Sequence, residues 1–270
     1  MKRAITLVTF TQLLFLLFLA LSGLTEGTVS EIIYYCGFLL PFLLGIYFIR
    51  RQRSEGADTE KVGLKLTRGR ILPLIPLLFP TVFTVFLISL LTSLLMRWLG
   101  FENSFTVSEG MPLAILIHAV IPAVLEELLF RYIPLKLLLP YSGRWAVLLS
   151  SLFFALIHGS LFQIPYAFVA GLIFALADIY SGSILPSVLL HLTNNVISLI
   201  VMLRLQGSEA AVLCCLGILA ALSLLAILLK RGSYRDFFKP LKDEGENAEY
   251  SLAPLALIIP TVILAITNLF

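Results

Sequence analysis

Charged residues are scarce in this sequence. Only 13% of its 270 residues are charged, 59% are hydrophobic, and the mean hydropathy is +1.01. Soluble domains carry roughly 25% charged residues, so the composition argues against a water-soluble fold. Apolar runs of about 20 residues, enough to cross a hydrocarbon layer of roughly 30 Å, recur along almost the whole chain. The sequence therefore predicts an all-α bundle of transmembrane helices, organised as one integral membrane domain over residues 1–270.

Cysteine is also scarce, and several common motifs are missing. The three cysteines lie in apolar stretches without CxxC spacing, which indicates neither a disulfide framework nor a zinc cluster. We interpret them as small buried hydrophobic residues: Cys36, Cys214 and Cys215. The sequence has no internal repeat, no Gly-rich phosphate loop and no basic stretch interleaved with aromatics. Nucleic acid is therefore not an expected partner, and any chemistry is expected inside the membrane.

Nine apolar segments are candidates for membrane spans. The fifth and sixth are short, so we predict eight or nine membrane helices. The first segment exceeds the roughly 7 to 15 apolar residues of a signal peptide, and we expect it to be retained as a helix. The segments are residues 1–22, 32–49, 71–95, 111–133, 145–157, 165–180, 184–203, 210–229 and 252–270.

The distribution of basic residues predicts the orientation. Short cytoplasmic loops accumulate Lys and Arg. With the amino terminus inside, 16 of the 19 basic residues fall in inner connections and two, Arg97 and Arg204, in outer ones. The amino terminus is therefore predicted to be cytoplasmic. The polar stretches 50–70 and 230–251 are then solvated cytoplasmic loops.

Three clusters of ionisable or polar residues interrupt the apolar segments. An ionisable side chain inside a spanning helix costs roughly 3 kcal/mol, so each cluster needs a partner or a function. The clusters are Glu126-Glu127-Leu-Leu-Phe-Arg131, Phe154-Ala-Leu-Ile-His158 and His191-Leu-Thr-Asn194-Asn195. Their number and proximity along the chain favour a functional site over structural hydrogen bonding.

Helical spacing separates the members of the first cluster. Glu127 and Arg131 are four residues apart and share a helix face, which predicts an ion pair. Glu126 lies about 100° round the helix and is left without that partner. We therefore assign the reactive role to Glu126 and a supporting role to Glu127 and Arg131.

The two histidine clusters repeat the four-residue spacing. His191 and Asn195 project from one face and can hydrogen-bond one small group, and Phe154 and His158 are similarly placed. Counting about 1.5 Å per residue from the predicted inner helix ends puts Glu126 and His191 some 10 Å deep and His158 nearer 20 Å. Helix tilt or different helix ends would be needed to bring them together.

Other intramembrane polar residues have a structural interpretation. His118 has no motif around it, and an isolated histidine in a membrane helix usually hydrogen-bonds a neighbouring helix. Asp178 and Tyr180, at the end of the sixth segment, are expected at the interface or as helix caps.

The ordered set of EExxxR, FxxxH and HxxxN motifs resembles the CAAX protease and bacteriocin-processing family of intramembrane peptidases, also called Abi. The motifs lie in a core of about residues 111–205, with the flanking helices outside the resemblance. The resemblance implies that Glu126 and His158 activate a water and that His191 and Asn195 stabilise the oxyanion. Arg131 would be structural, acting through Glu127.

A metal is the open alternative in this site. Glu126, His158 and His191 form a known type of zinc ligand set, and the family is often described as metalloproteases. The sequence has no HExxH motif, and Asn195 beside His191 is better explained as an oxyanion donor. We therefore favour a metal-free glutamate mechanism, with zinc as the alternative cofactor.

The resemblance implies a membrane-associated protein or peptide substrate, with a prenylated CAAX tail as one candidate. Access is expected from the cytoplasmic half of the bilayer, where Glu126 and His191 are predicted to lie. Two rival functions stay open. The chain could be a catalytically idle immunity or assembly protein, or a proton-coupled transporter of small solutes, although the missing repeats argue against a transporter.

Overall fold

The structure is a computed structural model that describes residues 1–64, 72–101, 109–205, 207–243, 254 and 258–261. Seven of its helices are long and apolar enough to cross a membrane, and one shorter apolar helix accompanies them. The prediction of an all-α, multi-pass membrane bundle is confirmed. The predicted ninth span, 252–270, falls almost entirely outside the described residues. The orientation of the bundle stays a prediction.

We number the helices in chain order. A short 3-10 turn, Leu72–Leu77, leads into α3, and two more, Arg231–Tyr234 and Lys239–Lys242, follow α8. The helices are α1 (Lys2–Gly23), α2 (Gly27–Ser54), α3 (Leu78–Trp98), α4 (Met111–Leu138), α5 (Gly143–Leu156), α6 (Ile164–Ser181), α7 (Leu185–Arg204) and α8 (Glu209–Leu229).

Several helices extend beyond the apolar segments that predicted them. Helix α2 runs on to Ser54, into the polar stretch predicted as a loop, and α4 continues five residues past position 133. Hydropathy marks the part of a helix that prefers lipid, but the backbone hydrogen bonds continue until a turn interrupts them.

The polar stretch after α2 packs against the bundle where it is described. The amide of Gly63 donates to the carbonyl of Gly182 (2.9 Å), and the amide of Ile184 donates to the carbonyl of Gly63 (3.0 Å). The ammonium of Lys136 donates to the carbonyl of Thr59 (2.8 Å). The predicted cytoplasmic loop therefore also forms backbone hydrogen bonds with the turn between α6 and α7.

An exposed ion pair joins the start of α1 to the end of α2. Nη1 of Arg3 lies 2.8 Å from Oε2 of Glu55, and Nε of Arg51 lies 3.3 Å from Oε1. The hydrogen bond from Arg3, assisted by Arg51, lowers the pKa of Glu55 below its usual range.

Helix α4, which carries the first motif, alternates between α and π geometry. Its π turns are Leu116–Val120 and Leu128–Tyr132. Pro122 and Pro134 follow these turns and have no N–H to donate to the carbonyl four residues earlier. The wider turns accommodate that loss, and π turns of this kind occur frequently at functional sites.

Helices α5 and α6 pack closely through small residues. A Cβ atom added at Gly171 of α6 would lie 3.0 Å from the Cα of Ser151 on α5, so only glycine permits this approach. Small residues are the usual contact between membrane helices, where no hydrophobic force draws helices together. This contact holds the end of α5, and the residues that follow it, against α6.

Helix α8 lies at the edge of the bundle. Its Cys214 and Cys215 are exposed on the protein surface, and Cys36 of α2 is half-buried. The interpretation of the cysteines as buried residues is wrong for the α8 pair. In a membrane protein an apolar side chain is equally stable facing lipid, so hydrophobicity does not indicate which face packs inward.

Candidate active site

A cavity of about 490 Å³ lies in the middle of the bundle. All four residues predicted as catalytic line it: Glu126, His158, His191 and Asn195. They come from α4, the turn after α5, and α7. The three motifs, which are separate in sequence, therefore meet around one space.

Glu127 and Arg131 form an ion pair behind this cavity. Nε of Arg131 donates to Oε2 of Glu127 at 3.2 Å, and both side chains are fully buried. Nη1 of Arg131 also donates to the hydroxyl of Ser150 on α5 at 3.3 Å. The pair thus neutralises Glu127 and links α4 to α5.

The second oxygen of Glu127 orients a histidine of α7. Nδ1 of His191 lies 3.0 Å from Oε1 of Glu127. A carboxylate paired with arginine only accepts hydrogen bonds, so Nδ1 of His191 carries the proton. Nε2 then points the other way and lies 3.9 Å from Oε2 of Glu126. Residue spacing along α4 could not predict that His191 lies close to Glu126, because the histidine belongs to another helix.

His158 is fixed in the same way by a backbone group. Its Nδ1 lies 2.9 Å from the carbonyl oxygen of Phe154. Because a carbonyl only accepts, Nδ1 donates and Nε2 of the neutral ring is left as an acceptor. Glu126 lies near enough to His158 to interact with it electrostatically.

The difference in depth predicted between Glu126 and His158 largely disappears. Because α4 ends at Leu138, Glu126 lies about 18 Å from that helix end rather than 10 Å. His158 lies about 22 Å along the chain direction from Gly143, the first residue of α5, if the helical rise is continued to it. The predicted end of α4 at 133 was therefore five residues too early.

Phe154 occupies the centre of the polar cluster. Its ring meets the rings of His158 and His191 edge to face, at centroid distances of 5.1 and 5.4 Å. The guanidinium of Arg131 lies 5.0 Å from its centroid, within the range of a cation–π contact. Phe154 therefore positions both histidines and shields the buried cation, a role that the motif spacing did not suggest.

We expect Phe154→Leu to lower the peptide cleavage that the family resemblance implies about tenfold or more, because leucine keeps apolar volume but loses the contacts that fix both rings. The matched control is Phe153→Leu. Phe153 is equally buried but has no described ring contact with either histidine. Both variants should lose about 1 kcal/mol of stability as the core repacks. Equal activity in the two variants would contradict a positioning role for Phe154.

Two asparagines, not one, face the cavity. Asn195 and its neighbour Asn194 both line it, and Asn194 is only 8% exposed. Oδ1 of Asn194 is buried and has no hydrogen-bond partner among the described residues. The HxxxN pattern singled out Asn195, but the adjacent amide is equally available to a bound molecule.

Asp178 caps the helix that carries His191. Its Oδ1 accepts a hydrogen bond from the amide of Ser187 at 3.0 Å, and its side chain is fully buried. Ser187 is the third residue of α7, where a free amide needs an acceptor. The expected capping role therefore applies to the following helix, and it anchors the first turn of α7 below the site.

Several lining residues have no motif around them. His118 lines the cavity. Its Nε2 lies 3.5 Å from Oε2 of Glu109, in the residues just before α4.

Another wall of the cavity comes from α1 and α2 and contains Phe15, Leu19, Tyr34 and Phe38. No pattern in the sequence could have assigned these apolar residues to the site.

A zinc site would require the side chains of Glu126, His158 and His191 to converge on one ion. Carboxylate oxygen and imidazole nitrogen are suitable zinc donors. In the described parts of the chain, however, no group of three or more His, Cys, Asp or Glu side chains is arranged to hold a metal ion. As placed, Glu126, His158 and His191 do not fit a zinc site.

One protein family matches this part of the chain. Residues 108–197 match the sequence model described as type II CAAX prenyl endopeptidase Rce1-like. The matched segment contains all three motifs and ends two residues after Asn195. No curated protein and no solved structure matches the chain. Over this third of its length, the chain is similar to the Rce1-like type II CAAX prenyl endopeptidases.

Proposed function

We propose that the protein is an endopeptidase that hydrolyses one peptide bond of a membrane-associated protein or peptide, using a water activated by Glu126 and His158. The observation that carries the proposal is the convergence of the Glu126 carboxylate and the free ring nitrogens of two histidines on one cavity. Oε2 of Glu126 is buried without a hydrogen-bond partner among the described residues, which leaves it as an unsatisfied acceptor.

The tautomer of His158 determines how it acts. With its proton on Nδ1, the ring offers Nε2 as an acceptor to one hydrogen of the water, and Glu126 accepts the other. The water oxygen then directs a lone pair at the substrate carbonyl. Glu126 takes the proton as the C–O bond forms, and later returns it to the amide nitrogen as the C–N bond breaks. The products are a carboxylate and an amine, with no covalent enzyme intermediate.

The oxyanion is stabilised from α7. The amide of Asn195 donates directly. In its imidazolium form His191 donates from Nε2, with Nδ1 held by the carboxylate of Glu127. Glu127 and Arg131 therefore act through His191 and not on the substrate.

The family implies prenylated protein or peptide substrates, and the cavity walls are consistent with an apolar chain. Phe15, Leu19 and Phe38 add apolar lining to the cavity that also holds the polar groups of α4 and α7. Burial of a hydrocarbon chain against such a wall contributes about 0.8 kcal/mol per methylene.

The proposal is tested with purified protein in phosphatidylcholine vesicles. A prenylated peptide and its unprenylated counterpart are added, and the products are identified by mass spectrometry. Cleavage at a single bond, faster for the prenylated peptide, supports the proposal. Solute uptake by the same vesicles without any cleavage would favour a transporter and contradict it.

We expect strong chelators to leave the activity unchanged, because the proposed water needs only protein groups. Peptide cleavage is measured before and after incubation with 1,10-phenanthroline, with the bound metal content of the protein determined in parallel. Loss of activity that zinc restores would show a metal-dependent mechanism instead, with Glu126, His158 and His191 as the first ligands to substitute.

A further inference from the structure

A second cavity, of about 580 Å³, adjoins the candidate active site. Five residues of α6 and α7 line both cavities: Tyr166, Asn194, Asn195, Ser198 and Met202. Another wall of the second cavity is α3, which contributes no residue to the first. The two cavities therefore meet at the asparagines of α7, and the second extends from there to α3.

The α3 wall of this cavity is polar, although α3 is an apolar membrane helix. Ser89, Ser93 and Arg97 are spaced four residues apart, so they share one helix face, and all three line the cavity. Within the described structure, the hydroxyls of Ser89 and Ser93 and that of Ser198 on α7 have no hydrogen-bond partner in the protein. A hydroxyl without a partner is costly in hydrocarbon but is satisfied in water. The wall therefore has the chemistry of a hydrated surface.

The α7 wall carries another unsatisfied polar group. Oδ1 of Asn194 is buried and has no hydrogen-bond partner among the described residues. Water occupies polar cavities that offer it two to four hydrogen-bond partners, and one molecule takes roughly 30 Å³ in the liquid. A cavity of about 580 Å³ with hydroxyl, amide and guanidinium groups on its walls meets both conditions.

The polar groups extend from the surface of the bundle to the depth of the active site. Arg97, in the last turn of α3, is exposed. Along α3, Ser93 lies about 8 Å and Ser89 about 14 Å from the end of the helix. Asn195 lies about 14 Å from Arg204, the last residue of α7. Hydrogen-bonding groups thus continue from Arg97 to the level of Asn195.

The opposite end of the bundle is covered by packed chain. There the amide of Arg144, at the start of α5, donates to the carbonyl of Asp243 (2.9 Å). The hydroxyl of Tyr234 donates to the carbonyl of Pro73, just before α3. Ser187, in the first turn of α7, is fully buried. The polar groups of the second cavity thus lead away from this covered end.

A bound substrate would leave little water in the first cavity. The bond to be hydrolysed has to lie against Glu126, which lines that cavity, so the substrate displaces the water held there. Each hydrolysis nevertheless consumes one water molecule. That molecule has to come from a neighbouring space while the substrate stays in place.

Resting on the proposed function, we propose that the second cavity supplies water to the active site. It holds water between Arg97 and Asn195 and delivers the molecule that Glu126 activates. Ser89 and Ser93 bind this water and take no part in the proton transfer. The water enters at the end of the bundle where α3 and α7 finish.

Thiol labelling tests whether the cavity is hydrated, and it does not depend on turnover. Ser93→Cys is introduced into the full chain with its native cysteines replaced by alanine, in phosphatidylcholine nanodiscs. An anionic methanethiosulfonate stays in water and reacts with a thiolate, which does not form in hydrocarbon. The matched control is Leu91→Cys, because Leu91 is 56% exposed on the same helix but does not line the cavity.

Ser93→Cys should react at least about tenfold faster than Leu91→Cys, which faces lipid. Equal rates would overturn the proposal, since depth in the membrane would then explain the labelling. So would an unreactive Ser93→Cys in a folded protein, because lipid chains and not water would fill the cavity.

Labelling in sealed membrane vesicles tests the direction of the route. Arg204→Cys marks the end of the bundle where α3 and α7 finish, and Asp58→Cys marks the covered end; both positions are exposed. The impermeant reagent should reach Ser93→Cys in the vesicle orientation in which it reaches Arg204→Cys. Reaction only in the orientation that exposes Asp58→Cys would overturn the proposed entry.

Filling the cavity tests the supply itself. Complete reaction of Ser93→Cys with an apolar benzyl methanethiosulfonate should lower kcat for peptide cleavage at least about fivefold and leave KM unchanged, because the added ring displaces water and not substrate. The same reagent on Leu91→Cys should change neither constant. An unchanged kcat in fully modified, folded Ser93→Cys would refute the supply of water by this cavity.

These results are separable from the proposed chemistry. A protein that cleaves no peptide would refute the proposed function and the supply role together, while labelling of Ser93→Cys would still show a hydrated cavity. Conversely, an active peptidase with an unreactive Ser93→Cys would keep the proposed function and remove the water route.

Discussion

Substitution of Glu126 by glutamine is expected to lower kcat for peptide cleavage about 10³-fold while the fold is kept. Glutamine has nearly the same shape but cannot accept the proton of the attacking water. Removing a general base typically costs a factor of 10² to 10⁴. Because Oε2 of Glu126 has no hydrogen-bond partner in the described structure, the substitution breaks no described hydrogen bond. Initial rates with the reconstituted protein measure the effect.

Two further variants make this result interpretable. Glu126→Asp keeps the carboxylate but shortens the side chain by one methylene group. This variant should therefore retain more activity than the glutamine variant. Glu31→Gln changes an exposed glutamate on α2 and should leave the rate unchanged. Thermal unfolding shows whether each protein is folded. A folded Glu126→Gln protein that cleaves as fast as the wild type would exclude Glu126 as the base.

Substitution of Arg131 by methionine is expected to destabilise the protein by about 3 to 5 kcal/mol. Both members of the Arg131–Glu127 pair are fully buried, and removing one partner leaves the other as an uncompensated charge in a low-dielectric interior. The loss is measured as the free energy of unfolding in mixed micelles. A cost below about 1 kcal/mol would show that the pair is not needed for stability.

The double variant Glu127→Gln with Arg131→Met separates stability from function. Removing both charges should restore much of the lost stability, since buried pairs are often replaced by neutral residues at little cost. Activity should stay low, because a neutral amide no longer holds Nδ1 of His191 as the carboxylate of Glu127 does. Recovery of both stability and activity together would contradict an orienting role for Glu127.

Much of the architecture could be predicted from hydropathy. Apolar length alone located eight helices, since a lipid-facing backbone must satisfy its hydrogen bonds within the helix. The ends of the helices could not be predicted as well from hydropathy. The end of α2 at Ser54 lies in polar sequence, where lipid preference gives no signal. The end of α4 at Leu138 lies beyond Lys136 in sequence that stays largely apolar, so hydropathy does not mark it either.

In the candidate site, only the contacts within a single helix could be predicted from the sequence. Periodicity placed Glu127 beside Arg131, and the structure contains that ion pair. It could not place His191 between the two glutamates, or the ring of Phe154 against Arg131, because these contacts depend on how separate helices pack. The role of Asp178 was missed in part for the same reason, since its partner belongs to the next helix.

The wall formed by Phe15, Leu19, Tyr34 and Phe38 belongs to α1 and α2, more than 50 residues before the matched segment begins. On the proposed function, the reacting groups and this part of the cavity wall are thus encoded in different stretches of the gene. The amino-terminal hairpin itself contributes no group to the proposed proton transfer. Exchanging that hairpin between related chains is expected to change the substrate preference and to leave the proposed mechanism unchanged.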